Sequence, residues 1–436
     1  GHHAGGAAHF AIVSALGAPW FLFVVGSVDC VLVSACNDWG FVGTATPYYT
    51  DETGVPYLYG TNVRANKLDP KGIRFVTEEF NEKQSKTRLE TGDLLTVQSG
   101  HIGETAVVTE EFAGANCHAL IVTRPKKEHV FSPYLGYYIN SEIGKARLKG
   151  LEVGSTILHI NTKDLKKFRV LLPPLPEQRK ITKILSTWDK AISTTEKLIE
   201  TSKQQKKALM QQLLTGKKRL VNPETGKAFE GEWEEVKLGN LTTKITKGTT
   251  PSTNGFQFHE NGINFVKVES ILKSGQFDLS KFAYIDEECH LAFKRSQLED
   301  GDILFSIAGA LGRTAIVTDA ILPANTNQAL SIVRLKKNVV CSGFILQYLN
   351  CTAIAAMIKG LTAQAAQPNL SLKDVGNLLI RLPSGEEQKK IASVLTAADK
   401  ETEVLQAKLA HFKQEKKALM QQLLTGKRRV KVDEVA

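Results

Sequence analysis

The run Lys206–Lys217, KKALMQQLLTGK, returns without a change as Lys416–Lys427. Twelve residues do not recur by chance. The same offset of 210 positions carries Glu177-Gln178 onto Glu387-Gln388, Ile181 onto Ile391, Leu185 onto Leu395 and Asp189-Lys190 onto Asp399-Lys400. The chain is therefore a tandem duplication, and its fold must be two copies of one plan.

The duplicated stretch carries a helical pattern. Ile181, Leu185, Trp188, Ile192, Thr195, Ile199, Ser202, Lys206, Leu209 and Leu213 follow one another at steps of four and three, which is a heptad seam. The second copy fills the same places with Ile391, Leu395, Ala398, Thr402, Leu405, Leu409, Phe412, Lys416, Leu419 and Leu423. Each helix is expected to start after a proline-bearing break, at Leu172–Pro176 or Leu382–Gly385, and to stop at Gly216 or Gly426, since glycine suits a left-handed cap. From Glu177 to Leu214 such a helix is roughly 57 Å long at about 1.5 Å per residue. A helix with this stripe needs a partner, and its own duplicate is the nearest one. The expected pairing sets Leu185, Trp188 and Ile192 against Leu405, Leu409 and Phe412.

The rest of each half reads as a mixed α/β (α+β) globule. Gly54-Val55-Pro56-Tyr57-Leu58 answers Gly262-Ile263-Asn264-Phe265-Val266, an apolar run of strand character. Gly92-Asp93 and Gly301-Asp302 mark turns that lead into buried strands. Thr105–Val108 answers Thr314–Val317, and Asn116 answers Asn325. Ser132–Gly150 and Ser342–Gly360 are each expected to be a helix. The resulting plan is an atypical segment 1–45, a globule 46–173, a helix 174–216, a linker 217–231, a globule 232–383, a helix 384–426 and a tail 427–436, with pseudo-twofold character. The two globules are far less alike than the two helices. Helices that share one task and globules that perform different ones produce this distribution.

The opening residues 1–38 do not fit the repeat. Phe10–Val28 is uncharged, which raises a membrane span or signal segment. Pro19, nearby glycines and Asp29 argue against a span, and the stretch is left out of the fold reading. A net charge of +10 favours a polyanionic partner. The six cysteines are scattered with no C-x-x-C pair, as expected of reduced thiols in the cytoplasm.

Motifs for catalysis are missing. Every Gly-Lys is followed by Ala, Lys or Arg, so no phosphate-binding loop is present. The only Asn-Pro, Asn222-Pro223, runs into Glu224-Thr225 and makes no amino-methyltransferase turn. There is no G-x-S-x-G elbow and no H-E-x-x-H. His101, His118, His259 and His290 stand isolated in the sequence, and no metal site is expected.

A variable globule closed by Leu172-Pro173-Pro174-Leu175-Pro176-Glu177-Gln178 and a constant helix ending in Lys206–Lys217, the whole repeated once, resembles the specificity subunit of Type I restriction-modification systems. The likeness runs from about residue 46 to 430. Gly248-Thr249-Thr250-Pro251-Ser252 is similar to the family's opening loop, whereas the first half lacks the Trp-x-x-x-x-Leu-Gly opening that Trp233–Gly239 supplies in the second. The resemblance implies a non-catalytic cytoplasmic protein with two target-recognition domains, each reading one half of a split double-stranded DNA target, separated by an antiparallel pair of helices. It implies two methyltransferase subunits and restriction-translocase subunits as partners in DNA methylation and phage defence. Those partners supply the S-adenosylmethionine, ATP and Mg²⁺ chemistry, and this chain holds no cofactor. With two readers on one face of B-DNA, half-sites about one turn apart, roughly 34 to 36 Å, are expected.

Candidate DNA contacts follow from side-chain chemistry beside turns. They are Lys83, Lys86, Arg88, Gln98, Ser99 and His101 in the first globule, and Lys247, Thr249, Thr250, Lys294, Arg295 and Arg313 in the second. Arg and Gln can bond bidentately to bases, while Lys more often holds phosphate. The repeated helix ends around Gln211-Gln212 and Gln421-Gln422 are expected to dock the methyltransferase subunits, because two identical surfaces suit two copies of one partner. The rival reading is a coiled-coil scaffold without DNA readout, which leaves the divergent globules without a task.

Overall fold

Both long helices form where the heptad pattern puts them. The computed structural model describes residues 32–33, 45–150, 159–160, 165, 168–272, 274–363 and 368–432. The first long helix is Leu175–Leu213 and the second Gly385–Leu423, 39 residues each. All ten seam positions of each helix are buried or half-buried. Gly216 and Gly426 end them at φ 72° and 73°, a conformation that costs glycine nothing.

Contacts divide the chain into two compact units, residues 1–194 with 409–436, and residues 195–408. These units cut across the sequence repeats. Each holds one globule, the first half of the helix that follows it, and the end of the other helix.

In the first unit, Leu423 and Leu424 are buried among Leu135, Tyr138, Ile181 and Leu185. Arg429 bonds both oxygens of the buried Glu177, with its NH2 2.6 Å from Oε2. Lys416 reaches Asp189 at 2.5 Å, and the Tyr137 hydroxyl donates to the same carboxylate at 2.5 Å. Trp188 packs edge-on against Phe412 at 5.5 Å. As the first helix advances from Glu177 to Asp189 its partner retreats from Arg429 to Lys416, so the two segments are antiparallel.

The second unit repeats the scheme. Leu213 and Leu214 are buried with Phe344, Ile345, Ile391 and Leu395. Arg219 clamps the fully buried Glu387 with two bonds of 2.7 Å. Lys206 reaches Asp399 at 2.5 Å, Gln347 donates to the other oxygen at 2.9 Å, and Ser202 meets Thr402 at 3.0 Å. The unchanged repeat thus has an internal cause: each helix end packs into the unit built around the other globule, against the same receptor residues. Gln178 and Gln388 complete the receptor. Gln178 accepts from Phe131 N and donates to His129 O and Pro173 O, all at 2.8 Å; Gln388 accepts from Cys341 N and donates to Pro383 O.

Each globule carries two larger sheets and one two-stranded sheet, Val63–Arg64 with Lys67–Leu68 in the first and Glu234–Lys237 with Leu379–Leu382 in the second. In the first unit one sheet orders Leu32–Val33, Leu120–Pro125, Leu94–Val97 and Thr105–Val107, and the other Tyr49–Thr50, Arg74–Val76, Val55–Leu58 and Asn116–Cys117. In the second unit Thr242–Lys247, Leu330–Leu335, Ile303–Ser306 and Thr314–Ile316 answer the first sheet, and Ala283–Ile285, Ile263–Val266 and Ala324–Thr326 the second. Both second sheets end in a parallel pairing, Tyr57 with Asn116 and Phe265 with Asn325.

Buried polar locks at matching places fix this frame in both globules. Asp93 takes Glu90 N and two guanidinium bonds from Arg124, all at 2.8 Å; Asp302 takes Glu299 N and Arg334 at the same distances. Asn116 bonds Gln84 O and Thr87, and Asn325 bonds Phe293 O and Ser296.

Two expectations need correction. Each helix expected over 132–150 and 342–360 is two: Ser132–Asn140 and Glu142–Lys149, then Ser342–Leu349 and Thr352–Thr362, the latter pair bent by 56°. Ser141 breaks the first by accepting from Gly144 N and donating to Tyr138 O. Leu32–Val33 joins the repeat after all, pairing with Pro125 and Arg124 as Thr242 and Lys244 pair with Leu335 and Arg334. The uncharged stretch Phe10–Val28 lies outside the described residues. Leu405, on the seam, is half-buried.

Removing Arg219 leaves Glu387 as a buried charge without its partner. Arg219→Met should therefore lower stability by roughly 3 to 5 kcal/mol, and adding Glu387→Gln should recover part of that loss. Thermal unfolding of the three chains checks this. Leu185→Ala, at a site with no exposure, should cost about 2 to 5 kcal/mol by the same measurement, and Leu405→Ala clearly less.

Candidate nucleic-acid interface

In the first unit, Ser99 and His101 are exposed on the turn that Gly100 and Gly103 make at φ 78° and 81°. Gln98, chosen beside them, is only 9% exposed at the end of a central strand and is removed from that surface. Lys83 and Lys86 are exposed, and Arg88 is half-exposed. Lys83 pairs with Glu79 at 2.5 Å and Arg88 with Glu78 at 3.6 Å.

In the second unit the structure brings several candidates together. Gly248 N donates to Asn327 O and Thr249 N to Thr326 O, so the opening loop lies along the end of strand Ala324–Thr326. A Cβ on Gly248 would stand 1.9 Å from Thr326 O, which requires glycine there. Thr250 bonds Gln328, and Arg295 donates to Thr249 at 3.2 Å. Lys247, Lys294 and Arg295 are exposed. Arg313 is withdrawn: its guanidinium donates to the carbonyls of Val268 and Ile271, so it braces a loop.

Sequence reasoning missed a corner of the first globule's second sheet. The pairing of Tyr57 with Arg74 and of Tyr49 with Val76 puts Tyr49, Arg74 and Tyr57 on one face. Tyr57 is fully buried, edge-on to Phe80 and to Tyr59, and its hydroxyl meets His118 Nδ1 at 3.3 Å. Tyr59 packs on His118 at 5.0 Å and shares a hydroxyl hydrogen bond with Tyr49. The exposed Arg74 guanidinium lies 4.8 Å from the Tyr49 ring centre and 5.9 Å from that of Tyr59. Burial, then the bond to Tyr49, pushes the Tyr59 hydroxyl well above the ordinary phenol range, and burial lowers His118, so both are neutral at pH 7. The available signal was the spacing of Tyr57 and Tyr59, which strand alternation puts on one face.

The second globule fills the same corner differently. By register, Phe265 stands for Tyr57, Ala283 for Arg74, Lys267 for Tyr59 and Asn327 for His118. Lys267 Nζ sits 4.7 Å over the ring of Phe258, itself packed on Phe265. One frame therefore carries two different cation–aromatic sets.

At the helix ends, Gln211, Gln212, Gln421 and Gln422 are all exposed. In the first unit Glu142 takes Lys417 at 2.6 Å and Gln421 at 2.7 Å, contacts that lower its carboxyl pKa. Thr352 stands at the matching place in the second unit. Among the described residues no cluster of His, Cys, Asp and Glu could hold a metal ion, and no single helix is long and apolar enough to cross a membrane.

Residues 44–203 and 230–414 match the family model described as the type I restriction modification DNA specificity domain. A chain from Methanocaldococcus jannaschii named as the type I restriction enzyme MjaX specificity subunit is 30% identical, over 87% of this chain and 89% of its own length. The EcoKI specificity subunit of Escherichia coli is 23% identical over 79% and 75%. The crystal structure of the type I restriction-modification S subunit from M. genitalium superposes with a TM-score of 0.56 and 16% identity, over 91% of this chain and 95% of that one. With both repeats matched by the family model, the chain belongs to the type I restriction-modification specificity subunits.

Proposed function

We propose that the chain reads a bipartite, asymmetric double-stranded DNA target for a type I restriction-modification complex and carries no catalytic site of its own. One observation carries the reading. The two globules share their buried locks, Asp93–Arg124 with Asp302–Arg334 and Asn116 with Asn325, yet differ at the exposed corner where Arg74, Tyr59 and His118 give way to Ala283, Lys267 and Asn327. A frame kept constant beneath surfaces that vary is what two readers of different half-sites need. The +10 charge suits the phosphate backbone.

Two methyltransferase subunits and the restriction-translocase subunits complete the complex, bringing the S-adenosylmethionine, ATP and Mg²⁺ chemistry, and the assembly acts in the cytoplasm. The helix ends are the docking sites. Packing accounts for the identity of Leu213, Leu214, Lys206 and Gly216 with their copies; the exposed Gln212 and Gln422 have no such role, and Lys207 and Gln211 are kept although it is their copies, Lys417 and Gln421, that meet Glu142. Identity on an exposed surface supports one partner bound twice.

Exchanging residues 46–170 for the first domain of another specificity subunit should change one half of the methylated sequence and leave the other untouched; a change in both halves contradicts the reading. Binding should weaken steeply with salt, with a log–log slope near roughly −7 if about eight phosphates are neutralised. Charge reversal at Lys207 with Gln211→Glu should remove one methyltransferase subunit in a pull-down. Retention of both subunits after the same changes at Lys207, Gln211, Lys417 and Gln421 excludes docking there.

A further inference from the structure

We infer that Arg74 reads a guanine in the half-site of the first globule, and that the Tyr49–Tyr59 pair is the platform that fixes its guanidinium for that contact. The inference rests on the DNA-reading function proposed above and assigns one base contact within it.

The platform is rooted in the core. Tyr57, fully buried, holds Tyr59 edge-on at 5.3 Å and anchors His118 through its hydroxyl. Tyr59 is held in turn by His118 and by the hydroxyl of Tyr49. Arg74 lies over both Tyr49 and Tyr59, which restricts a side chain that otherwise has many rotamers.

The hydrogen-bonding groups of Arg74 are left over for a ligand. Among the described residues no carboxylate or carbonyl accepts from the Arg74 guanidinium. Its neighbours in the same globule differ: Arg124 is held by Asp93, Arg88 faces Glu78, and Arg147 donates to Tyr138 Oη and Arg169 O. An exposed arginine stacked in place with its donors unspent is a planar fork awaiting a planar pair of acceptors. O6 and N7 of guanine in the major groove present such a pair, and this contact is the commonest specific one that arginine makes. A phosphate can also take two bonds from arginine, but it carries no sequence information.

The second globule supplies an internal comparison. Ala283 replaces Arg74, and the cation at that corner is Lys267 over Phe258. An ammonium is a compact point charge without the fork, suited to a phosphate oxygen. The same corner thus reads a base in the first globule and holds the backbone in the second.

The test uses the chain assembled with its methyltransferase subunits, and duplexes carrying its methylated target or each single base-pair change in it. Arg74→Lys keeps the charge and removes the fork; Arg74→Gln removes both. Both variants should lose discrimination at one G·C pair of the first half-site, by roughly ten- to a hundredfold, with the other positions unchanged. Lys267→Met should weaken binding to all duplexes alike. Thermal melting of each variant checks that it is folded; Arg74 is exposed and no stability loss is expected. If Arg74→Lys binds and discriminates as the parent does, or if Arg74→Gln weakens every duplex equally and lowers the salt slope by about one, Arg74 is a phosphate contact or none and the inference falls. A parent complex with no sequence preference overturns the proposed function itself, and this inference with it.

Discussion

The structure depends on a carboxylate buried at the start of each long helix and an arginine that arrives from the end of the other. Glu177 and Glu387 are almost wholly removed from water, and each is neutralised by a paired guanidinium, Arg429 or Arg219. A buried carboxylate without such a partner is strongly destabilising. Two leucines just before each arginine, Leu213-Leu214 and Leu423-Leu424, fill the adjacent core. Each compact unit is therefore incomplete without the tail of the other repeat. That requirement explains why the packed residues of the repeat, Lys206, Leu213, Leu214 and Gly216, stay identical within a chain whose globules have diverged.

With the frame held in this way, exposed positions above it are free to differ between the copies. The turn lock of Asp93 and Arg124 recurs atom for atom in the second copy, and the strand-end asparagine again donates to the backbone carbonyl at the matching place, Gln84 O or Phe293 O. The stacked corner does not. A buried polar network tolerates few changes because each leaves a donor or acceptor unsatisfied, whereas an exposed cation on an aromatic shelf can be exchanged at little cost in stability. Recognition can change there while the fold stays constant.

Much of this was legible in the sequence. The heptad seam, the glycine stops and the paired strand openings all lie where the repeat and the periodicity put them. The break at Ser141 was hidden because the apolar spacing from Leu135 to Ile143 continues through it, and only a side-chain bond to Gly144 N marks the turn. Gln98 and Arg313 were chosen by side-chain type, although alignment of the copies sets Gln98 against the buried Ile307. Arg74 escaped notice because its setting is made by strand pairing: Tyr49 and Tyr59 come to it across the sheet, and neither stands near it in the chain.

The central claim is that one chain reads two different half-sites. Sequencing of methylated adenines in a host that expresses this chain with its methyltransferase subunits tests it most directly. The expected result is a single split motif, two short specified halves of different sequence separated by unspecified bases. A continuous motif, or two halves that are the same sequence in inverted order, would contradict it.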